Sequence, residues 1–213
     1  MYPVGKGSFS VGVSDVIVRD EVIAKESRIL CKKERYSIIS VGSLAQMYKA
    51  PDIVLLAMEI LKKRGINIHL TWLGDGIFKQ DMVNLANKLG VDADFKGNVS
   101  SDIVYKNLSE SDIFLLVSRT EGLPRAVVEA MAHGLPCIGS RVGGIPELLE
   151  PSVLVEKENP EALADLIQRL VTDYDFTNEQ AKRNLNEALL YKEDRLKELR
   201  NQYFEYIKAQ RDE

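Results

Sequence analysis

Two glutamates, Glu121 and Glu129, stand eight positions apart around the start of a strongly apolar segment. Glu129 lies within the run 126–132, whose other members are alanine, valine and methionine. A carboxylate in such a run is costly unless it accepts hydrogen bonds. With Glu121 in the preceding loop, a single polyhydroxyl ligand could contact both carboxylates. Alternatively, Glu121 caps the helix and Glu129 pairs with a core arginine or with backbone amides, and residue types alone favour this second interpretation.

The stretch 112–150 predicts the elements that position these glutamates. It contains an apolar strand at Ile113–Val117, a helix that begins at Pro124, a short strand at Pro136–Gly139 and a helix that begins at Pro146. Proline is tolerated at the first helical position because its missing N–H would have no partner there. Each helix begins soon after a strand ends, which is where open α/β sheets bind ligands. Helix N-termini that face one crevice favour an anion.

From Tyr36 onward the chain alternates apolar strands with helical segments, which is typical of a parallel sheet covered by helices on both faces. The predicted strands are Tyr36–Val41, Asn67–Leu73, Ala93–Phe95, Asp112–Val117, Pro136–Gly139 and Val153–Val155. The predicted helices are Asp52–Arg64, Ile77–Leu89, Ser101–Leu108, Pro124–His133, Ile145–Leu149, Pro160–Asp173 and a long helical tail at Thr177–Gln210. The fold class is therefore α/β with a Rossmann-like parallel sheet. Ahead of it, Val16–Arg19 is predicted to form a short strand.

The run from Ser118 to Pro136, S-R-T-E-G-L-P-R-A-V-V-E-A-M-A-H-G-L-P, is followed by G-G-I-P-E at positions 143–147. Together these segments resemble the E-x7-E signature of retaining nucleotide-sugar glycosyltransferases of the group 1 family. Those enzymes have two Rossmann-like domains that face each other across a cleft, the GT-B architecture. The resemblance extends as a pattern from Ser37 to Ile207. It implies that this chain forms the donor-binding half of a GT-B fold, with a long C-terminal helical tail.

The resemblance implies a role for each residue of the signature. Glu129 would bind the ribose hydroxyls, and Lys49 would neutralise the diphosphate. Glu121, with the amides of Gly122 and Leu123, would bind the donor sugar. The candidate catalytic residues are Glu121 and Lys49, and the candidate donor-binding residues are Glu129, Gly122, Leu123, Pro124, Arg125, Gly42, Ser43, Gly74, Gly76, Asn98, Val99, Ser118 and Arg119.

The loop 41–52 departs from the pattern of the family. There, a Gly-Arg…Lys-Gly pattern supplies two cations to the diphosphate; here Lys49 matches the lysine, Ser43 replaces the arginine and Ala50 replaces the second glycine. We expect Arg119 or Arg125 to substitute for the missing arginine. The alternative is that Lys49 merely lies on a solvated surface loop.

Glycines follow the second and third predicted strands. Gly74-Asp75-Gly76 is a weak dinucleotide signal because the third glycine of G-x-G-x-x-G is replaced by Lys79. In the resembling enzymes a Gly-x-Gly here lines the donor crevice, so Gly74 and Gly76 are expected to let backbone approach closely. The segment 97–99 would contact the nucleotide base, although an ordinary turn explains it nearly as well. The Asp-Ala-Asp run at 92–94 lies at the wrong end of its strand and is expected to be a solvated turn.

Composition excludes several classes of function. The net charge is −4 with acids and bases interspersed, so no nucleic-acid footprint is expected. The two cysteines, Cys31 and Cys137, and the two histidines show no metal-ligand spacing, so neither a metal nor a cofactor is expected. Without a signal pattern or a membrane-length apolar run, a cytoplasmic protein is expected, with the full-length enzyme peripheral at the inner membrane face.

The resemblance also implies a division into segments. Residues 1–35 would link to an N-terminal acceptor domain outside this chain, 36–175 would bind the nucleotide sugar, and 176–213 would form the helical tail. A saccharide or lipid-linked acceptor would be held by the other domain, so the isolated chain would be inactive, and the apolar stripe of the tail favours a homodimer. Two alternatives remain open at this point: a nucleotide-sugar epimerase of the same architecture, and a non-catalytic nucleotide-sugar-binding module.

Overall fold

The computed structural model describes residues 14–209. Within this range the strands form one parallel sheet in the order β3-β2-β1-β4-β5-β6. The strands are β1 Tyr36–Val41, β2 Ile68–Leu73, β3 Ala93–Gly97, β4 Ile113–Leu116, β5 Cys137–Ser140 and β6 Leu154–Val155. The helices are α1 Pro51–Lys63, α2 Lys79–Leu89, α3 Ser101–Glu110, α4 Arg125–Ala132, α5 Ile145–Leu148, α6 Pro160–Thr172, α7 Tyr174–Ala188 and α8 Glu193–Ala209.

Two hydrophobic cores lie on opposite faces of the sheet, because successive side chains of a strand point to opposite sides. Ile38 of β1 and Leu115 of β4 pack in a core with α1, α2 and α6. Ile39 of β1 and Phe114 of β4 pack in the other core, with α3, α4 and α5. All four side chains are 0% exposed. This burial on both faces explains why β4, whose residues are Ile, Phe, Leu and Leu, is continuously apolar rather than alternating.

The strand order fixes where a ligand crevice can form. β1 pairs with β2 on one side and with β4 on the other. The chain therefore winds outward in one direction from β1 to β3 and in the opposite direction from β4 to β6. In such sheets the crevice lies outside the carboxyl ends of the two strands where the winding direction reverses. Here those strands are β1 and β4.

The predicted Rossmann-like sheet with helices on both faces is confirmed, and predicted bounds agree with observed bounds to within two residues from β1 to α6. The helical C-terminus is also confirmed, as α7 and α8 separated by a 3-10 turn at Leu189–Tyr191. Gln210, the predicted end of the tail, lies outside the described residues. Within residues 14–209, no helix is both long enough and apolar enough to cross a membrane.

Two local predictions are wrong. Val16–Arg19 is not a strand: Val18 forms one isolated parallel bridge with Lys192, and its N–H donates to the carbonyl of Tyr191 at 2.9 Å. A valine-rich segment paired at a single residue cannot extend the sheet. Pro124 does not occupy the first helical position, because its ψ of 112° is extended and α4 begins one residue later. Proline therefore serves there as the N-cap residue.

Candidate functional site

The candidate site lies where the loop after β1 faces the loop after β4. The first loop ends in a 3-10 turn at Met47–Lys49, and the second runs from Val117 to Pro124. These are the loops at the carboxyl ends of the two strands where the winding direction reverses. The fold therefore brings together Lys49 and Glu121, which are 72 positions apart in the chain.

Lys49 and Glu121 form an ion pair between these loops. Lys49 Nζ donates to Glu121 Oε2, and the Ser118 hydroxyl donates to the same oxygen at 2.9 Å. The side chains of Lys49 and Glu121 are only 11% and 12% exposed. Lys49 therefore does not lie on a solvated surface loop, and Glu121 accepts bonds from side chains instead of capping α4. Lys49 and Glu121 therefore neutralise each other at the centre of the site.

The conformation of the turn that carries Lys49 depends on Gly42 and Ala50. A Cβ on Gly42 would lie 3.0 Å from Lys49 Cγ, so this glycine makes room for the lysine stem. Ala50 has φ 46° and ψ 47°, a left-handed conformation in which glycine is the usual residue. This is the position where the family has its second glycine, and the alanine at 50 keeps the conformation that glycine would favour.

Arg119 is fully engaged by protein groups. Its Nη1 and Nη2 atoms donate to the two oxygens of Asp52 at 3.0 and 2.8 Å. Its Nε atom lies 2.6 Å from Oε1 of Glu158. Bonding to Asp52 raises the pKa of the guanidinium despite its partial burial. Arg125, the other arginine expected to replace the missing cation, is 66% exposed and lies 3.7 Å from Glu129.

Glu129 faces a polar pocket between α3, α4 and the segment 17–22. The pocket has a volume of about 440 Å³, and its lining includes Arg19, Ser101, Tyr105 and Arg125. The Glu129 side chain is 18% exposed, and Arg125 is its ion-pair partner. Desolvation raises the pKa of Glu129, and Arg125 opposes this only in part. A ligand with hydroxyl groups could supply the hydrogen bonds that favour the charged form.

Gly74 and Gly76 allow two loops of the protein to touch. A Cβ on Gly74 would lie 2.0 Å from the carbonyl oxygen of Gly42, and one on Gly76 would lie 2.0 Å from Ala45 N. The close approach is between this loop and the loop after β1. Ser43 belongs to the same contact, because its hydroxyl lies 3.4 Å from the carbonyl oxygen of Asp75. These contacts pack the loop after β2 against the loop that carries Lys49.

The remaining candidate residues differ in how far they are exposed to solvent. Asn98 is exposed after β3, and Val99 is half-buried against the core beside α3. Gly122 is exposed, and a Cβ there would meet nothing within 4 Å. Leu123 is half-buried and Pro124 is buried at the start of α4. The acidic run at 92–94 lies at the amino end of β3, away from the crevice, where Asp92 Oδ1 bonds to His69 at 3.0 Å.

Two groups that support the site are absent from the predicted site residues. A Cβ on Gly143, whose φ is 52°, would lie 1.8 Å from the carbonyl oxygen of Glu121, and Gly144 N donates to the carbonyl of Gly122 at 2.9 Å. Ser140 Oγ accepts from Ser118 N and donates to Ser118 O, both at 2.8 Å. The glycine pair was visible in the sequence signature, but no local signal marked Ser140. Both groups hold the loop of Glu121 from the side of β5.

The model of the glycosyl transferases group 1 family matches residues 22–187. This chain belongs to that family. The matched region includes Lys49, Glu121 and Glu129.

Several proteins are similar to this group 1 family member. Protein CapJ of Staphylococcus aureus is 28% identical over 186 residues, covering 86% of this chain and 46% of CapJ. N-acetyl-alpha-D-glucosaminyl L-malate synthase of Bacillus anthracis is 28% identical over 191 residues, covering 87% of this chain and 48% of the enzyme. The chain thus spans about half the length of these curated relatives. The crystal structure of Anabaena HepE in complex with UDP-glucose superposes with a TM-score of 0.70 at 21% identity, over 82% of this chain and 49% of HepE.

Proposed function

We propose that this chain is the donor-binding domain of a retaining glycosyltransferase, which transfers a sugar from a nucleoside-diphosphate sugar to an acceptor. The observation that carries the proposal is the pairing of Lys49 with Glu121 where the winding of the sheet reverses. A cation suited to phosphate and a carboxylate suited to sugar hydroxyls lie side by side there. Membership of the group 1 family supports this function. The HepE complex with UDP-glucose supports a nucleotide sugar as the donor.

Each group of the crevice has a role in this proposal. Lys49 binds the diphosphate, and Glu121 with the amides of Gly122 and Leu123 binds the donor sugar. Glu129 binds the ribose hydroxyls. The free N–H groups at the start of α4 contribute about 0.3–1 kcal/mol to an anion through the helix dipole. Side chains and backbone amides of this chain fill all of these roles in the proposal, which requires neither a metal nor a cofactor.

Stabilising the diphosphate bears on the chemical step as well as on binding. When the bond between the sugar and the diphosphate breaks, negative charge develops on the leaving oxygen. Preorganised donors aimed at that charge lower the barrier more than they stabilise the bound donor. Retention means that the acceptor attacks from the face that the leaving group departs. The acceptor, a saccharide or a lipid-linked sugar, is held by a second domain in this proposal.

The test is calorimetric titration of the chain with UDP, GDP and their sugar conjugates. We expect one nucleotide to bind and Glu129→Ala to weaken it by about tenfold or more, the contribution of hydrogen bonds to a charged group. Glu198→Ala on α8 is the matched control, since it removes an exposed carboxylate that is not part of the lining of the Glu129 pocket. If none of these compounds binds at millimolar concentration, or if both substitutions weaken binding equally, the proposal is wrong.

A second measurement separates binding from transfer. The chain alone is expected to bind the sugar conjugate without turnover, because half of a cleft cannot close around the donor and exclude water. Release of nucleoside diphosphate by the chain with an added saccharide acceptor would contradict the need for a second domain.

A further inference from the structure

Arg119 joins the two loops of the candidate site. Its backbone N–H donates to the carbonyl of Tyr48 at 2.7 Å, and its guanidinium donates to the carbonyl of Met47. Both acceptors belong to the 3-10 turn that carries Lys49. Asp52, in the first turn of α1, receives two further bonds from the guanidinium. Arg119 therefore holds the chain on both sides of Lys49.

The held segment is strained. Among residues 14–209, the non-glycine residues with positive φ are Ala50 at 46° and Glu158 at 60°. Ala50 lies between Lys49 and Asp52, and Glu158 is the second carboxylate partner of Arg119. A left-handed conformation in a residue with a side chain persists only where surrounding contacts hold it. Both strained positions adjoin the contacts of Arg119.

The guanidinium has little capacity left for an anionic ligand. Its three nitrogens are occupied by Asp52, Glu158 and the carbonyl of Met47. Two carboxylates more than neutralise one guanidinium, so this cluster presents a net negative charge. Lys49, in contrast, has one carboxylate partner, Glu121, which a bound sugar could engage instead.

We propose that Arg119, clamped by Asp52 and Glu158, is a positioning residue that holds Lys49 toward the diphosphate, rather than a second cation that binds the diphosphate itself. This inference rests on the proposed function, because it assumes that Lys49 binds the diphosphate. Arginine suits the task because its planar fork bonds a carboxylate through two nitrogens in a fixed geometry, which lysine cannot reproduce.

Substituting Asp52 is expected to change diphosphate affinity in opposite directions, depending on whether Arg119 positions Lys49 or itself binds the diphosphate. Asp52→Asn removes a negative charge beside the crevice, so electrostatics alone would tighten binding of UDP or GDP, whichever the unchanged chain binds. Loss of the clamp would instead weaken binding, because Lys49 is no longer held in place. We expect both Asp52→Asn and Arg119→Lys to weaken binding of the nucleoside diphosphate by about tenfold, the value of a charge-assisted contact. Binding of the corresponding nucleoside, which lacks the diphosphate, should change little.

Double-mutant cycles measured by calorimetry distinguish positioning from general damage. In a Lys49→Met background, Arg119→Lys is expected to cause no further loss of diphosphate affinity, because the group that it positions is gone. In a Glu129→Gln background its effect is expected to persist in full, because the ribose contact does not depend on this turn. Undiminished loss in the Lys49→Met background, or tighter binding by Asp52→Asn, overturns the inference while the proposed function stands. Binding unaffected by Lys49→Met refutes the role of Lys49 and this inference with it.

Discussion

Replacing Glu121 by Gln is expected to tighten the binding of a bare nucleoside diphosphate. Glu121 forms an ion pair with Lys49, and both side chains are about nine-tenths buried. A diphosphate must draw Lys49 away from this partner before the lysine can bind it. A hydrogen bond to a charged group contributes about 1.5–3 kcal/mol. Glutamine still accepts a bond from Lys49, so we take the lower value, which corresponds to roughly tenfold tighter binding.

The same substitution is expected to cost stability. Glu121 is the ion-pair partner of Lys49 among residues 14–209, so without the carboxylate the ammonium loses that counter-ion in a largely buried site. The loss is about 1–3 kcal/mol, and each kcal/mol lowers Tm by about 2–4 °C for a chain of this size. The nucleotide sugar should gain less affinity than the bare diphosphate, because its sugar hydroxyls lose a carboxylate acceptor. The preference for the sugar conjugate over the bare diphosphate therefore falls.

Calorimetry with UDP, GDP and their sugar conjugates, together with thermal unfolding, measures all three effects. Glu161→Gln is the control for net charge, since Glu161 is 63% exposed and pairs with Arg64 at the end of α1. If Glu121→Gln binds the bare diphosphate more weakly, Glu121 and the diphosphate do not compete for Lys49, because Glu121 then assists Lys49 in binding it. An equal gain for the bare diphosphate and the sugar conjugate would refute the contact between Glu121 and the sugar.

Three further predictions follow from burial and packing. Burial raises the pKa of Glu129, so the stability that this group contributes is lost as pH rises through its folded-state pKa. Glu129→Gln should therefore raise the free energy of unfolding at pH 7 and give no gain near pH 3, as measured by denaturant titrations. Gly143→Ala should destabilise the chain by at least about 2 kcal/mol and abolish nucleotide-sugar binding, because the new Cβ would overlap the carbonyl of Glu121. Gly122→Ala is the control and should leave thermal unfolding unchanged. Cys31 is exposed while burial raises the pKa of Cys137, so a thiol reagent should label Cys31 in the folded chain and Cys137 only after denaturation.

The fold could be predicted in detail because its signals are local. The apolar runs of β1 and β4 and the helical segments between strands are set by the burial pattern of consecutive residues, so their bounds needed no tertiary information. The signature at 118–136 likewise placed Glu121 before α4 and Glu129 within it. The segment around Val18 failed because a short valine-rich run does not reveal whether it has a neighbouring strand to pair with.

Sequence patterns were sufficient for the α/β class, for the element bounds from β1 to α6 to within two residues, and for the residue types that could bind a nucleotide sugar. Which of these residues contact one another depends on how the strands are ordered in the sheet. The pairing of Lys49 with Glu121 joins residues 72 positions apart, and it requires β1 and β4 to be neighbours, which no local pattern encodes. The same holds for Arg119, which the sequence offered as an anion ligand and the structure surrounds with Asp52 and Glu158. Side-chain partners across loops depend on distances that exist only once the strands are ordered, and the electrostatics of this crevice follow from those distances.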